Sequence, residues 1–305
     1  MIQYSGFADE AGKDLDSQIR ATKELGWKYI ESRSIGSKNL ATLSESEFEE
    51  LRRKLDESGI YIHCYGSGVA NWGKSPLKEE DFEASVQELE SALPRMQILG
   101  TKYLRGMSFA VPQGRKPDSE EIETQVYAKV KRLVEKCEDA GVIYVHENCM
   151  TYGGLSYEHF LKLEEHVRSP NFRLCFDMSN VVNTFDYREY PPKHIQDPWE
   201  FYQHTKDFIE HVHIKDSTYL GQGDGVFPET EHKWPGEGDG RVPEIIRDLL
   251  KRGYDKVLSI EPHLGAVFHD PDSEYDEDGQ YRMYVEYGRR LKSLVERIRR
   301  EPNIR

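Results

Sequence analysis

Nothing in this 305-residue chain reads as a membrane span, because its longest apolar stretches, such as Val142 to Val145, fall far short of what a bilayer crossing requires. The N-terminus has no basic segment followed by an apolar one, so no secretory leader is expected. Cysteine is scarce. Cys64, Cys137, Cys149 and Cys175 are scattered without a CxxC pair, which argues against a disulfide framework and a structural zinc site and suits a reducing, cytoplasmic setting. Basic residues are outnumbered, with 41 Lys and Arg against 55 Asp and Glu for a formal charge of −14. No run of Lys or Arg gathers positive potential on one face, so a nucleic-acid partner is not expected. A glycine-rich phosphate turn is missing too: GFADEAG (6–12), after the first predicted strand, lacks GxGxxG spacing, which disfavours an open dinucleotide-binding sheet.

What the chain does have is a repeated phrase, in which an amphipathic helix stops at a Gly and runs into a β-branched or aromatic segment. It reads ELGWKYIE (24–31), ESGIYIH (57–63), ILGTKYLR (98–105), DAGVIYVHE (139–147) and KRGYDKVLSIE (251–261). Glycine relaxes the left-handed turn after a helix, so each copy marks an α-to-β junction. Gly26, Gly59, Gly100 and Gly141 lie 33 to 41 residues apart, the length of one βα unit with its loops. Helical spacing of Phe48, Leu51 and Leu55, and of Val126, Val130, Leu133, Val134 and Cys137, fills the intervals. Ser44 before Glu47 and Asp118 before Glu121 have capping-box spacing. Further strands are expected at Ile2–Phe7, Arg173–Asp177 and His211–Lys215. Eight alternating units imply an α/β fold with a parallel sheet closed on itself, a (β/α)8 barrel forming one domain over 1–305. Two long loops interrupt the pattern, at 217–240 and 264–279.

The predicted strands from the second to the eighth end in Glu31, His63, Arg105, Glu147, Asp177, His213 and Glu261. In a barrel those ends converge on one mouth, where active sites of this architecture sit. Strand alternation sends Val212, Ile214, Leu258, Ile260, Leu174 and Phe176 toward the helices. It leaves His211, His213, Lys215, Ser259, Glu261, His263 and Asp177 facing inward. Two Glu, one Asp and one His form an oxygen-rich cage of formal charge −3, self-repelling without a cation. One divalent metal ion resolves the conflict, with Mn2+ or Mg2+ favoured by the donor set and Co2+ or Zn2+ compatible with it.

At these residues the chain resembles the xylose isomerase-like superfamily, particularly its sugar phosphate isomerase/epimerase subgroup. The resemblance runs from DE (9–10) and KYIES (28–32) through HEN (146–148), FDMSN (176–180) and HVHIKD (211–216) to GEGDG with VPEI (236–245) and SIEPH (259–263). It implies a metal held by Glu147, Asp177, His213 and Glu261. The chemistry it implies is sugar epimerisation or isomerisation by proton abstraction next to a carbonyl through a metal-stabilised enediolate, with Glu147 and Glu261 as the acid–base pair. His63, Arg105, Lys215 and Trp234 are expected to contact a small carbohydrate substrate. Asn180 stands where many ketose epimerases of the superfamily carry His, so the contact made there is altered.

A 3-keto-glycoside lyase sharing the carbanion chemistry is the nearest alternative. A metal-free sugar-binding barrel and an apurinic-site endonuclease-like hydrolase are more distant, the latter disfavoured by the acidic charge and by Arg105 and Asn180 where further His would be needed. The loop 217–240 is expected to close over the mouth, with Gly221, Gly223 and Gly225 supplying flexibility and Phe227 and Trp234 an apolar face. The sugar, its phosphorylation, the metal and any homo-oligomeric state stay open at this level.

Overall fold

The computed structural model describes residues 2–223, 227–264, 277–302 and 304. Eight parallel strands form one sheet: β1 (Gln3–Gly6), β2 (Tyr29–Ser32), β3 (Tyr61–Gly66), β4 (Tyr103–Gly106), β5 (Ile143–Glu147), β6 (Phe172–Asp177), β7 (Ile209–Ile214) and β10 (Val257–Ile260). The order β1-β10-β7-β6-β5-β4-β3-β2 makes β1 and β2 the two ends, and a parallel bridge from Phe7 to Glu31 joins them. An intervening antiparallel hairpin consists of β8 (Asp216–Gly221) and β9 (Glu229–Lys233).

The helices are α1 (Leu15–Glu24), α2 (Glu45–Ser58), α3 (Glu79–Leu99), α4 (Glu120–Asp139), α5 (Tyr157–Val167), α6 (Met178–Val182), α7 (Pro198–Thr205), α8 (Val242–Lys251) and α9 (Glu277–Arg299). Gly59 and Gly100 end α2 and α3 at φ of 67° and 70°, the left-handed turn the sequence phrase requires. Ser44 closes the expected capping box with Glu47. Asp118 does not form one. Ser119 is the N-cap of α4, and Asp118 instead meets Lys162 Nζ at 2.5 Å and His159 Nε2 at 3.5 Å.

Alternation along the strands sorts the chain into two interiors. Leu174, Phe176, Val212, Ile214, Leu258 and Ile260 pack in the main apolar core with helix residues such as Ile245, Ile246 and Leu249. Inside the ring the apolar filling is small, a cluster of Cys64, Val145 and Cys175. Branched aliphatics usually fill such a ring. Here Ser5, Glu31, His211, His213 and Ser259, all fully buried, lie on the strands instead.

Of the expected strand ends, Glu147 and Asp177 close their strands, Glu31, Arg105, His213 and Glu261 lie within one residue of an end, and His63 is the exception. β3 pairs with β2 as Ile30 with Ile62 and then Glu31 with Cys64, so His63 is an extra residue, a bulge, and the strand runs on to Gly66. His63 therefore sits below the rim, its ring 4.9 Å from Tyr103 and 5.7 Å from His211.

The segment expected as a flexible loop over 217–240 is largely the β8–β9 hairpin followed by a tight glycine turn; Gly225 lies outside the described residues, as does most of 264–279. Asp216 organises this region. Its buried carboxylate accepts backbone N–H groups from Ser217 at 3.0 Å, Gly236 at 2.9 Å, Gly238 at 3.0 Å and Gly240 at 2.9 Å. A Cβ on Gly238 would lie 2.5 Å from Asp216 Oδ1, which explains the glycines of GEGDG without invoking flexibility. Replacing Asp216 with Ala leaves several of these donors unpaired and is expected to lower stability by about 3 kcal/mol. Denaturant unfolding checks this, and an unchanged midpoint would show that the turn is organised by something else.

Candidate active site

Glu147 closes β5, Asp177 closes β6, His213 is the penultimate residue of β7 and Glu261 follows β10. One donor atom from each lies within 4.8 Å of all the others, and all four residues are buried. His213 Nδ1 is 3.4 Å from Glu147, 3.6 Å from Glu261 and 3.8 Å from Asp177, yet has no hydrogen-bond partner. Its Nε2 faces both oxygens of Glu31 at 3.1 Å. Glu31 also accepts from Ser259 Oγ at 2.7 Å and faces His211 Nε2 at 2.8 Å. Burial alone would raise the Glu31 carboxyl, but His213 and His211 hold it well below the ordinary carboxylate range.

Burial would lower His213, but Cys175, Glu31 and Glu147 hold it well above the ordinary imidazole range. A metal ion would replace the Nδ1 proton, leaving Nε2–H on Glu31 and the Nδ1 lone pair facing three carboxylates. A cation fits that arrangement, and an imidazole oriented by a carboxylate on its far nitrogen is the usual support of a metal ligand. The charges agree. Leaving aside Glu31 with its two imidazoles, five carboxylates (Asp9, Glu10, Glu147, Asp177, Glu261) face three permanent cations (Arg33, Arg105, Lys215). Five negative against three positive leaves a formal −2, which one divalent ion would neutralise.

Each carboxylate has its own environment. Arg105 Nε lies 3.3 Å from Glu147 Oε2, and Asn180 Nδ2 donates to Glu147 Oε1 at 2.9 Å. The Asn180 backbone N–H caps Asp177 Oδ1 at 2.8 Å. Asn148, within the HEN segment, fixes the end of β6 by donating to the Asp177 carbonyl at 2.9 Å and accepting its N–H at 2.7 Å. Lys215 Nζ bridges Asp177 at 3.1 Å and Glu261 at 3.0 Å. Burial, opposed by Lys215 and reinforced by Glu261 and Glu147, pushes Asp177 up to about 6. Burial would raise Glu147 and Glu261 as well, but Arg105 and His213 lower the first, and Lys215, His263, His213 and Arg33 hold the second well down.

Of the residues singled out in the sequence, Glu147, Asp177, His213, Glu261, Arg105, Asn180 and Lys215 come together. His63 and Trp234 do not join them. Trp234 packs 5.8 Å from Tyr287 on α9, with the Arg290 guanidinium 4.0 Å above its ring. Further residues without an assigned role in the sequence reading enter the site. Arg33 meets Asp9 at 2.9 Å, Glu10 at 3.4 Å and Glu261 at 3.3 Å. Period-two alternation beyond Glu31 points to Arg33, since inward residues follow one another at steps of two. His263 takes φ of 53°, strained for a non-glycine residue, and places Nδ1 3.0 Å from Glu10 and Nε2 3.3 Å from Glu261. Phe7, fully buried, packs edge-on to His213 at 5.2 Å and lies under the guanidinium groups of Arg33 and Arg105 at 4.5 and 5.4 Å. Gly66 leaves room for that ring, because a Cβ there would come within 2.4 Å of it.

Among solved structures, the chain is similar to a D-tagatose 3-epimerase-like protein, with 19% identity, 97% of this chain and 98% of that one covered, and a TM-score of 0.73. A xylose isomerase-like TIM barrel protein from Mycobacterium smegmatis in complex with magnesium is 17% identical over 96% and 97% of the two chains, with a TM-score of 0.67. D-allulose 3-epimerase from Methylomonas sp., in complex with D-allulose, is 18% identical over 96% of each chain, with a TM-score of 0.65. An uncharacterised protein of Methanocaldococcus jannaschii is 26% identical over 195 residues, 61% of this chain and 61% of that protein's length. The family model described as xylose isomerase-like TIM barrel matches residues 19–282, and with eight parallel strands joined end to end the chain belongs to that family.

Proposed function

We propose that the chain is a divalent-metal-dependent sugar epimerase or isomerase that moves a proton at the carbon next to a carbonyl. The observation that carries this reading is the unpartnered His213 Nδ1 turned toward Glu147, Asp177 and Glu261. Glu147, Asp177, His213 and Glu261 would hold the ion, and their oxygen-rich set favours Mg2+ or Mn2+. A bound divalent ion would polarise the substrate carbonyl and stabilise charge developing beside it. The likeness to proteins described as D-tagatose and D-allulose 3-epimerases supports a carbohydrate as substrate.

Glu147 and Glu261 divide the proton traffic. They stand on β5 and just after β10, with β6 and β7 between them in the ring, so a sugar at the centre has one carboxylate on either side. One takes the proton onto a carboxylate oxygen and the other returns one to the opposite face. Arg105 and Lys215, each already bound to a carboxylate, keep those bases ionised and supply N–H donors at the edge of the substrate space. Phe7 beneath them keeps the floor dry. Four buried, free cysteines suit a reducing compartment. No helix among the described residues is long and apolar enough to cross a membrane.

One ion per chain is expected to bind, and Asp177→Ala is expected to weaken Mn2+ at least about 100-fold in calorimetric titration. Because burial pushes Asp177 up to about 6 in the metal-free protein and the ion needs its carboxylate, affinity should rise with pH through about 6. An affinity that is flat between pH 4.5 and 7 would remove Asp177 from the ligand set. Glu147→Gln and Glu261→Gln keep an oxygen donor while removing the base. Each is expected to retain metal and lose the chemical step by roughly 100-fold or more. Solvent-deuterium incorporation into keto-sugars reads this out: a true epimerase should, in one of the two variants, still exchange hydrogen without delivering inverted product. Release of a leaving group would assign a lyase instead.

A further inference from the structure

The β8–β9 hairpin brings one more side chain to the site. His232, on β9, lies with its ring 5.2 Å from that of His263 and edge-on to it. His263 has both ring nitrogens directed at carboxylates, Glu10 and Glu261. His232 differs. Its Nδ1 sits 3.0 Å from Ser217 Oγ, while its Nε2 makes no hydrogen bond among the described residues.

A chain of hydroxyls lies behind the ring. Asn183 Nδ2 donates to Ser179 Oγ at 3.2 Å, Ser179 Oγ lies 2.5 Å from Ser217 Oγ, and Ser217 Oγ reaches His232 Nδ1. One order starts from Asn183, with each hydroxyl accepting from behind and donating forward; in that order His232 Nδ1 is the acceptor and Nε2 carries the imidazole proton. Burial, with Lys215 and His263 adding to it, pushes His232 down to about 4, which keeps the ring neutral with a single N–H.

The strand that carries His232 is a fixed arm. Asp216 at its base binds Ser217, Gly236, Gly238 and Gly240, Asp239 N–H donates to the Ser217 carbonyl at 2.8 Å, and Tyr219 N–H donates to Asp239 at 2.9 Å. A side chain held by so many backbone contacts, with one donor left over beside Lys215 and His263, is positioned for a ligand.

We propose that His232 is a substrate-contacting residue, donating from Nε2 to a hydroxyl or carbonyl oxygen of the sugar at a point away from the metal ligands. This rests on the sugar epimerase or isomerase reading, and its role is in holding and choosing the substrate. Removing a donor that binds substrate and transition state alike raises KM and leaves kcat in place.

The test compares His232→Phe, which keeps a ring against His263 but has no N–H, with His232→Gln, whose amide nitrogen stands near the position of Nε2. Wild type and both variants are loaded with Mn2+ and assayed for hydrogen exchange on D-allulose, D-tagatose and L-ribulose. Mn2+ affinity and thermal midpoint are measured alongside. The expected result is a KM at least about tenfold higher in His232→Phe, kcat within about threefold, Mn2+ affinity within twofold, and partial recovery in His232→Gln. In parallel, the ring signals of His232, assigned by their loss in His232→Phe, should shift when D-allulose is added to the Mg2+-loaded protein. An unchanged KM, or weakened Mn2+ binding that accounts for the whole loss, overturns the role of His232 while leaving the carbonyl chemistry standing. A wild type that neither exchanges hydrogen with any of the three sugars nor shows shifted His232 signals overturns both.

Discussion

The hydrogen bond between His213 Nε2 and the buried carboxylate of Glu31 decides which way the other imidazole nitrogen faces. Glu31 is held in turn by Ser259 and His211, so the residue that orients His213 is itself locked from two other directions. Glu31 also pairs with Phe7 at the seam where β1 meets β2. Phe7 carries the ring that packs against His213 and beneath Arg33 and Arg105. Closing the barrel and building the site are therefore one event. A sheet left open at this seam would lose the orientation of His213 and the floor under both arginines together.

Electrostatics accounts for what surrounds that bond. Burying like charges at 3 to 5 Å is expensive unless each has a counter-charge or a hydrogen-bond donor. The protein supplies three cations, each shared between carboxylates or between a carboxylate and a carbonyl, as when Arg105 donates to the Ser67 carbonyl at 2.7 Å. That arrangement stops two charges short of neutrality, and the shortfall is centred where Asp177 is raised and His213 Nδ1 stands bare. The same imbalance explains why the ring interior is polar, since apolar packing there could not stabilise Glu31 or orient its two histidines.

Much of this was legible in the sequence because two periodicities coincide. Junction glycines marked where each strand begins, and alternation within HVHIKD, LCFD and VLSIE separated helix-facing from inward residues, which is why Asp177, His213 and Glu261 could be aligned before any contact was known. Alternation fails where a strand carries an extra residue. The bulge at His63 shifts β3 by one step, and the residue that reaches the rim is Gly66, whose lack of a side chain gives no sequence signal of a site. Trp234 was misplaced for a different reason. An aromatic in a glycine-rich segment carries no direction, and only tertiary packing shows that it stacks on Tyr287 and Arg290. His232 was hidden because GQGDGVFPETEHKWPGEGDG reads as loop, whereas Asp216 and its glycine partners fold it into a hairpin with a defined inner face. Arg33 and His263 belong to an ion-pair network with Asp9 and Glu10, whose members are distant in sequence and meet only when the ring closes.

The most direct measurement is anomalous diffraction at the manganese edge from crystals grown with Mn2+. A single peak is predicted inside the cluster, within coordination distance of His213 Nδ1 and of oxygens from Glu147, Asp177 and Glu261, with His213 Nε2 still bound to Glu31. No peak there, with the Lys215 ammonium filling the space between Asp177 and Glu261, would contradict the account.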